Sequence, residues 1–198
     1  MTENARPIEP AGPDTAAFVV RLAAGDESAL REAYQQHHAS VRAFANRFLN
    51  EREAAEDLVH EVFVALPRAL RGFRQEAPLR QFLLSMAVNH ARHHLRAAQR
   101  RRRAQQRLAR EPETAAVTPE RMAERRQLAR SLAAALDELP VPQRAAFVLC
   151  ELEERPAAEV ARIVGTSEGN VRVRLHNARR TLRQLLAAWH PAPKEDRT

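Results

Sequence analysis

PAAEVARIVGTSEGNVRVRLHNARRTLRQLLAAW, running from Pro156 to Trp189, decides how the rest of the chain is read. Pro156 suits a first helical position, where its missing N–H would lack an intrahelical partner anyway. Ala157, Val160, Ala161 and Val164 follow at i, i+3, i+4 and i+7, on one face of a helix. Gly165 can take the positive φ that ends such a helix, and Ser167 can cap the next one with its side-chain oxygen. In the second helix Val171, Leu175, Ala178, Leu182, Leu186 and Trp189 form an apolar stripe, while Arg172, Arg174, His176, Arg179, Arg180 and Arg183 fill the other faces. A short helix, a glycine turn and an Arg-rich second helix make a helix-turn-helix. In that motif the first residues of the second helix reach base edges in the major groove. Here these are Glu168, Asn170, Arg172 and Arg174: arginine bonds guanine bidentately, asparagine bonds adenine, and glutamate accepts from cytosine. The competing reading of this stretch is an ordinary helical hairpin with a solvated basic face.

Composition agrees with a helical protein that meets an acidic partner. The chain has 198 residues, enough for one or two domains with real cores. Aromatic residues make up only 5% and there are five glycines, which favours helices over sheets. The formal net charge is +7, and the positive charge is nearly all arginine, with Lys194 the single lysine, giving planar forks suited to phosphate and guanine. Cys150 is the sole cysteine, so no internal disulfide can form; its place on an apolar helical face makes it a small core hydrophobe. The N-terminal MTENARPIEPAGPD lacks the apolar segment of a signal peptide, and no run reaches the roughly 20 apolar residues of a membrane span. The expectation is a cytoplasmic protein with no membrane insertion.

Ahead of the decisive stretch, the residues to about 14 read as a disordered tail and Thr15 to Ala24 as a short helix closed by Gly25. Asp26 caps a long helix to about Leu49, with Leu30, Tyr34, His37, Val41, Phe44 and Phe48 on its packed seam. His37 is expected to be a hydrogen-bonded core histidine. A third helix, Arg52 to Leu70, buries Ala55, Leu58, Val62, Ala65, Leu66 and Ala69 and exposes Glu53, Glu56, Asp57 and Glu61; Pro67 should kink it or end it early. Pro78 opens a helix with Leu79, Phe82, Leu83, Met86 and Ala87 inside, continuing to the run Arg100 to Arg103. Further helices are expected from Arg126 to Leu139 and from Pro142 through Cys150.

Charge divides the chain into blocks. Residues 77–110 hold nine arginines and no acid, a net of +9. Residues 111–154 hold nine acids against five arginines, a net of −4, and residues 155–190 hold seven arginines against two acids, a net of +5. Two basic surfaces therefore flank an acidic, Pro-containing segment, EPETAAVTPE, that reads as a linker. Two tethered basic surfaces suit two separated stretches of one duplex.

Three motifs in order resemble bacterial sigma factors of the extracytoplasmic-function (ECF) group, the short type with only the second and fourth sigma domains. AEDLVHEVFVAL (Ala55 to Leu66) is similar to the acidic helix that docks on core RNA polymerase. APLRQFLLSMAVNHARHHLR (Ala77 to Arg96) resembles the segment that binds and melts the minus-ten element. ALDELPVPQRAAFVLCELEERPAAEVARIVGTSEGNVRVRLHNARRTLR (Ala135 to Arg183) resembles the domain whose helix-turn-helix reads the minus-thirty-five element. The resemblance implies an all-α fold of two small helical domains joined by a flexible linker: 15–104 sigma domain 2-like, 105–126 linker, 127–189 sigma domain 4-like, with tails at 1–14 and 190–198. By resemblance Glu56, Asp57, Leu58, Val59 and Glu61 would contact polymerase; Phe82, Asn89, Arg92, Arg96 and Arg100 would meet the minus-ten strand; and Glu168, Asn170, Val171, Arg172, Arg174 and Arg179 would face the minus-thirty-five groove. The implied partners are core RNA polymerase, promoter DNA and an anti-sigma factor. The chain departs from the family pattern at His60 (usually Gln), Phe82 (usually Trp), His93 (usually Asp) and Asn170 (usually Thr).

Two other classes compete. His90, His93 and His94, near His37 and His38, have spacings at which imidazoles can share a metal, but the arginines around them repel a cation and no acid neighbours them in sequence. A free-standing helix-turn-helix regulator would have no use for the acidic helix around Asp57. No phosphate loop, nucleophile elbow or catalytic carboxylate pair is present, so the sequence points to a non-enzyme with no cofactor and no resident metal.

Overall fold

The structure is a computed structural model describing residues 13–71, 77–106 and 120–189. The secondary structure of these residues is entirely helical: α1 (Pro13–Ala23), α2 (Glu27–Leu49), α3 (Arg52–Leu70), α4 (Leu79–Gln106), α5 (Glu120–Asp137), α6 (Val141–Phe147) extended by a π-helical turn (Val148–Leu152), α7 (Ala157–Val164) and α8 (Glu168–Trp189). The sequence readings for residues 1–12, 107–119 and 190–198 lie outside the described residues.

Helix boundaries follow local chemistry. Asp26 accepts from the Ala29 N–H at 2.8 Å, capping α2, and Asn50 closes that helix in the left-handed region at φ 57°. The Ser28 hydroxyl, the Ala29 amide and the Arg21 guanidinium hold the Asp26 carboxyl well below its ordinary pKa. Pro13 and Asp14 belong to α1 rather than to a tail, since proline is suited to a first helical turn. Pro67 does not end α3, which continues to Leu70; Leu66 and Leu70 are both buried, and their anchorage holds the last turn against the single hydrogen bond that proline removes. Residues 120–126, assigned to the linker, are the first turns of α5.

α1 to α4 pack around Leu22, Phe44, Phe48, Leu58, Leu66, Leu83 and Val88, all fully buried. Each contributes roughly 1.5–3 kcal/mol by leaving water, and the Phe44 and Phe48 rings stack at 5.1 Å. Tyr34, expected on the inner seam of α2, is instead 45% exposed, stacked on His38 at 4.8 Å and edge-on to Phe63 at 4.9 Å. Its phenol needs water or a partner, which the margin of the bundle supplies. His37 is half-buried beside Phe18, Gln36 and Leu79 in a groove of about 430 Å³. Burial, and secondarily the Arg80 charge, push its pKa down. No hydrogen bond to it occurs among the described residues, contrary to the expectation of a bonded core histidine.

The second half divides its interior. Ala135, Leu136, Leu139, Ala178 and Leu182 form a small cluster of their own. Val148, Leu149, Val160, Ala161, Ile163 and Val171 instead join the core of α1 to α4. α7 packs on α4, and the π turn packs on α2. Across this seam Arg47 pairs with Glu153, and Gln81 Nε2 donates to the Glu159 carbonyl over a long 3.5 Å. Arg144, only 1% exposed, pairs with Asp137 and lies 5.3 Å from the centre of the Phe48 ring, close enough for a cation–π contact.

Candidate nucleic-acid interface

The turn between α7 and α8 is built as the residues require. Gly165 ends α7 at φ 65°, where a Cβ would be strained. Ser167 Oγ accepts the Asn170 N–H at 3.3 Å, and Asn170 Nδ2 donates to Thr166 Oγ1 at 3.2 Å, fixing the first turn of α8. Val171, Ala178 and Leu182 face inward. Asn170, Arg172 and Arg179 are exposed and Glu168 and Arg174 half-exposed. Arg172 is held by Glu168 one turn earlier, with Nε at 3.2 Å from Oε1, and Arg179 pairs with Glu151 of the π turn.

Val171, assigned to the groove by resemblance, is fully buried and serves as the pin between α8 and α7. A helix advances about 100° per residue, so a contiguous motif cannot present all its members to one side. The arc opposite Val171 carries Val173, His176 and Arg180, all exposed. Val173 is 59% exposed, an unusual place for a β-branched apolar side chain. Counting helical turns from the buried stripe finds these three, which the motif match passed over.

On α4, Asn89 and Arg96 are exposed and Arg92 is half-buried, with Nη1 3.5 Å from Asn89 Oδ1. Burial, with the charges of Arg174 and Arg96 nearby, lowers the Arg92 pKa. Phe82 is half-buried against the core. Arg100 lies on α4, its side chain outside the described residues.

On α3, Glu56, Asp57 and Glu61 are exposed, but Leu58 and Val59 are buried. The last two build the bundle and offer nothing to a partner, for the same angular reason as Val171. Glu56 pairs with Arg42 at 2.8 Å. Asp57 makes no ion pair among the described residues, which leaves its charge free to act outward. Glu61 Oε2 is bonded by His90 Nδ1 at 3.0 Å and His94 Nε2 at 3.1 Å. The histidine cluster therefore does have an acid beside it, contributed by α3. Both imidazoles address the same oxygen, and His93 is exposed apart from them. Among the described residues, no group of three or more His, Cys, Asp and Glu side chains is placed to hold a metal ion, and no helix is long and apolar enough to cross a membrane.

Comparison with known proteins supplies the family. Residues 33–101 match the family model of Sigma-70 region 2, and residues 129–182 match that of Sigma-70, region 4. The chain is 32% identical to the ECF RNA polymerase sigma factor SigE of Mycolicibacterium smegmatis, over 91% of this chain and 71% of that protein. It is 29% identical to the ECF RNA polymerase sigma factor SigM of Mycobacterium tuberculosis, over 82% of this chain and 80% of the relative. Among solved structures it resembles CnrH in complex with the cytosolic domain of CnrY, with TM-score 0.61, 25% identity, and coverage of 87% of this chain and 96% of that one. One region match runs from within α2 through α3 to α4 and the other takes in the helix-turn-helix, and the SigE alignment joins both: the chain belongs to the ECF sigma factors of bacterial RNA polymerase.

Proposed function

We propose that this sigma factor docks on core RNA polymerase through the exposed acids of α3, centred on Asp57, and reads two promoter elements through α4 and α8. The observation that carries the reading is the joint presence, on one chain, of an acidic face led by Asp57, which has no ion-pair partner among the described residues, and two basic helical faces. A protein that only binds DNA gains nothing from the first.

The roles divide by surface. Glu56, Asp57 and Glu61 meet polymerase. Asn89, Arg92, Arg96 and Arg100, with Phe82 behind them, track the minus-ten strand, where a basic path and a stacking surface hold single-stranded bases. Asn170, Arg172, Arg174 and Glu168 face the minus-thirty-five groove, Arg179 supports them through Glu151, and Val173 offers an apolar contact for a thymine methyl. The polymerase supplies the chemistry of RNA synthesis, so the chain itself is a non-enzyme. It works in the cytoplasm, and an anti-sigma factor is its expected inhibitor: the solved structure of CnrH contains a bound partner, the cytosolic domain of CnrY.

Asp57→Arg combined with Glu61→Arg should abolish binding to purified core polymerase while far-UV circular dichroism stays unchanged. Core binding that survives the double reversal would remove α3 from the interface.

A further inference from the structure

We propose that His90 and His94 of α4 make polymerase docking sensitive to protons: neutral, they hold the Glu61 carboxylate as a charged contact, and protonated, they cancel its charge. The inference rests on the sigma reading above. It assigns two positioning residues, and a condition that regulates them, to the acidic face of α3.

The two histidines stand one helical turn apart on α4, so both rings reach the same acid where α4 packs on α3. His90 Nδ1 lies 3.0 Å and His94 Nε2 3.1 Å from Glu61 Oε2. Two nitrogens on one oxygen restrict the rotation of the carboxylate. They leave Oε1, which bonds no other described residue, for an outside partner. The histidine side chains are 31% and 23% exposed, against 46% for Glu61. The acid is therefore the group a partner meets, and the rings support it.

Histidine is the side chain whose ordinary pKa, near ~6.5, brings a change of charge between about pH 5 and 8. Glu61 stays ionised over that range: partial burial raises its pKa, but the bonds and charges of His90 and His94 outweigh it and leave it lowered. With neutral rings the cluster carries one negative charge. One proton cancels it, and a second makes the cluster positive. Acid thus does reversibly what Glu61→Arg does by substitution. The other charged or titratable groups nearby are Asp57, His60 and Arg68 on α3, His93 and Arg96 on α4, and Arg42 on α2, engaged with Glu56. None of these shifts the Glu61 carboxyl, nor does any group of α1 or α7, packed on α3 and α4. Asp57 bonds no imidazole, so docking weakens on acidification without vanishing.

Titrating the full chain with purified core polymerase at about pH 7.8 and about pH 5.8, either side of the histidine range, tests this. The unaltered chain should bind about fivefold more weakly at the lower pH, the scale of a half-exposed ion pair. His90→Asn with His94→Gln keeps an N–H near each bonding nitrogen and takes up no proton, so that difference should disappear. Comparing the two chains excludes protons taken up by polymerase itself. Should the double variant lose helicity by circular dichroism, Glu61→Gln carries the same test: its binding should be weak at both pH values. No pH difference in the unaltered chain, or the same difference in the double variant, would overturn the proposal. If no chain binds core polymerase at either pH, the sigma reading fails and the docking role with it. Carboxyl NMR then still decides whether the rings govern Glu61. Its titration midpoint should rise in the double variant, and an unmoved midpoint would sever the two.

Discussion

The four-helix half and the helix-turn-helix half rest on very different interiors. α1 to α4 enclose a core with two stacked phenylalanines and a row of fully buried leucines and valines. Among the described residues the second half keeps to itself a small cluster of Ala135, Leu136, Leu139, Ala178 and Leu182, with Leu132, Phe147, Leu185 and Leu186 packed on it, and leans other apolar residues on its neighbour. The difference assigns roles. The first half is a scaffold that can hold both an acidic and a basic face, and the second depends on it for much of its apolar burial.

The sharpest way to break this comparison is by stability. Phe44→Ala should cost about 3–5 kcal/mol and release both halves together. Leu182→Ala should cost at the low end of about 2–5 kcal/mol and loosen α8 while α2 keeps its protection. Denaturant melts give the sums, and amide hydrogen exchange locates them. Equal loss of protection in α2 and α8 for Leu182→Ala would merge the two interiors into one.

A smaller effect separates the two basic faces. Arg172→Ala with Arg174→Ala should weaken contact with the upstream element, each lost bidentate contact removing ~1–3 kcal/mol of discrimination, and leave core polymerase binding intact. Footprints of the polymerase complex with and without the substitutions check this. An unaltered upstream footprint would take α8 out of the groove.

The smallest effect concerns the join of α3 to α4. Partial burial raises the Glu61 pKa, but the bonds from His90 and His94 outweigh it and leave the net value lowered. A carboxyl lowered by folding stabilises the protein above its unfolded pKa, about 4.3, and loses that contribution as pH falls through the folded value. Glu61→Gln should therefore narrow the stability difference between pH 7 and pH 3, by less than about 1 kcal/mol because the group is half-exposed and screened. Denaturation midpoints at the two pH values measure it; an unchanged difference would deny the histidines any hold on Glu61.

Local signals in the chain placed most of the helices, though α3 runs through Pro67 and α5 begins at Glu120, ahead of its expected start. Asp26, Gly165 and Ser167 cap and stop where their side chains dictate, and the apolar periods of α2, α3 and α8 mark most of the buried faces. What stayed hidden has two physical causes. Motif matching names contiguous residues, whereas a helix turns consecutive residues to different sides; the resemblance gave partner contacts to Leu58, Val59 and Val171, although all three are core and the apolar period had already put Leu58 and Val171 inside. Pairing between distant segments leaves no periodic trace. Arg47 and Glu153 are 106 positions apart, and Glu61 is 29 from His90 and 33 from His94, so neither the seam nor the acid beside the histidines was legible. The same gap explains Tyr34, whose place on an apolar period said nothing of the His38 and Phe63 rings that hold it at the margin.

The central claim is that this chain turns core polymerase into an enzyme that starts at particular promoters. Run-off transcription with purified bacterial core polymerase, on pooled genomic promoter fragments and free of any co-purified inhibitor, addresses it directly. The account predicts discrete starts that appear only when the protein is added and that share an upstream and a downstream element. Absence of such starts, with duplex DNA still bound by the protein alone, would contradict it and leave a DNA-binding regulator.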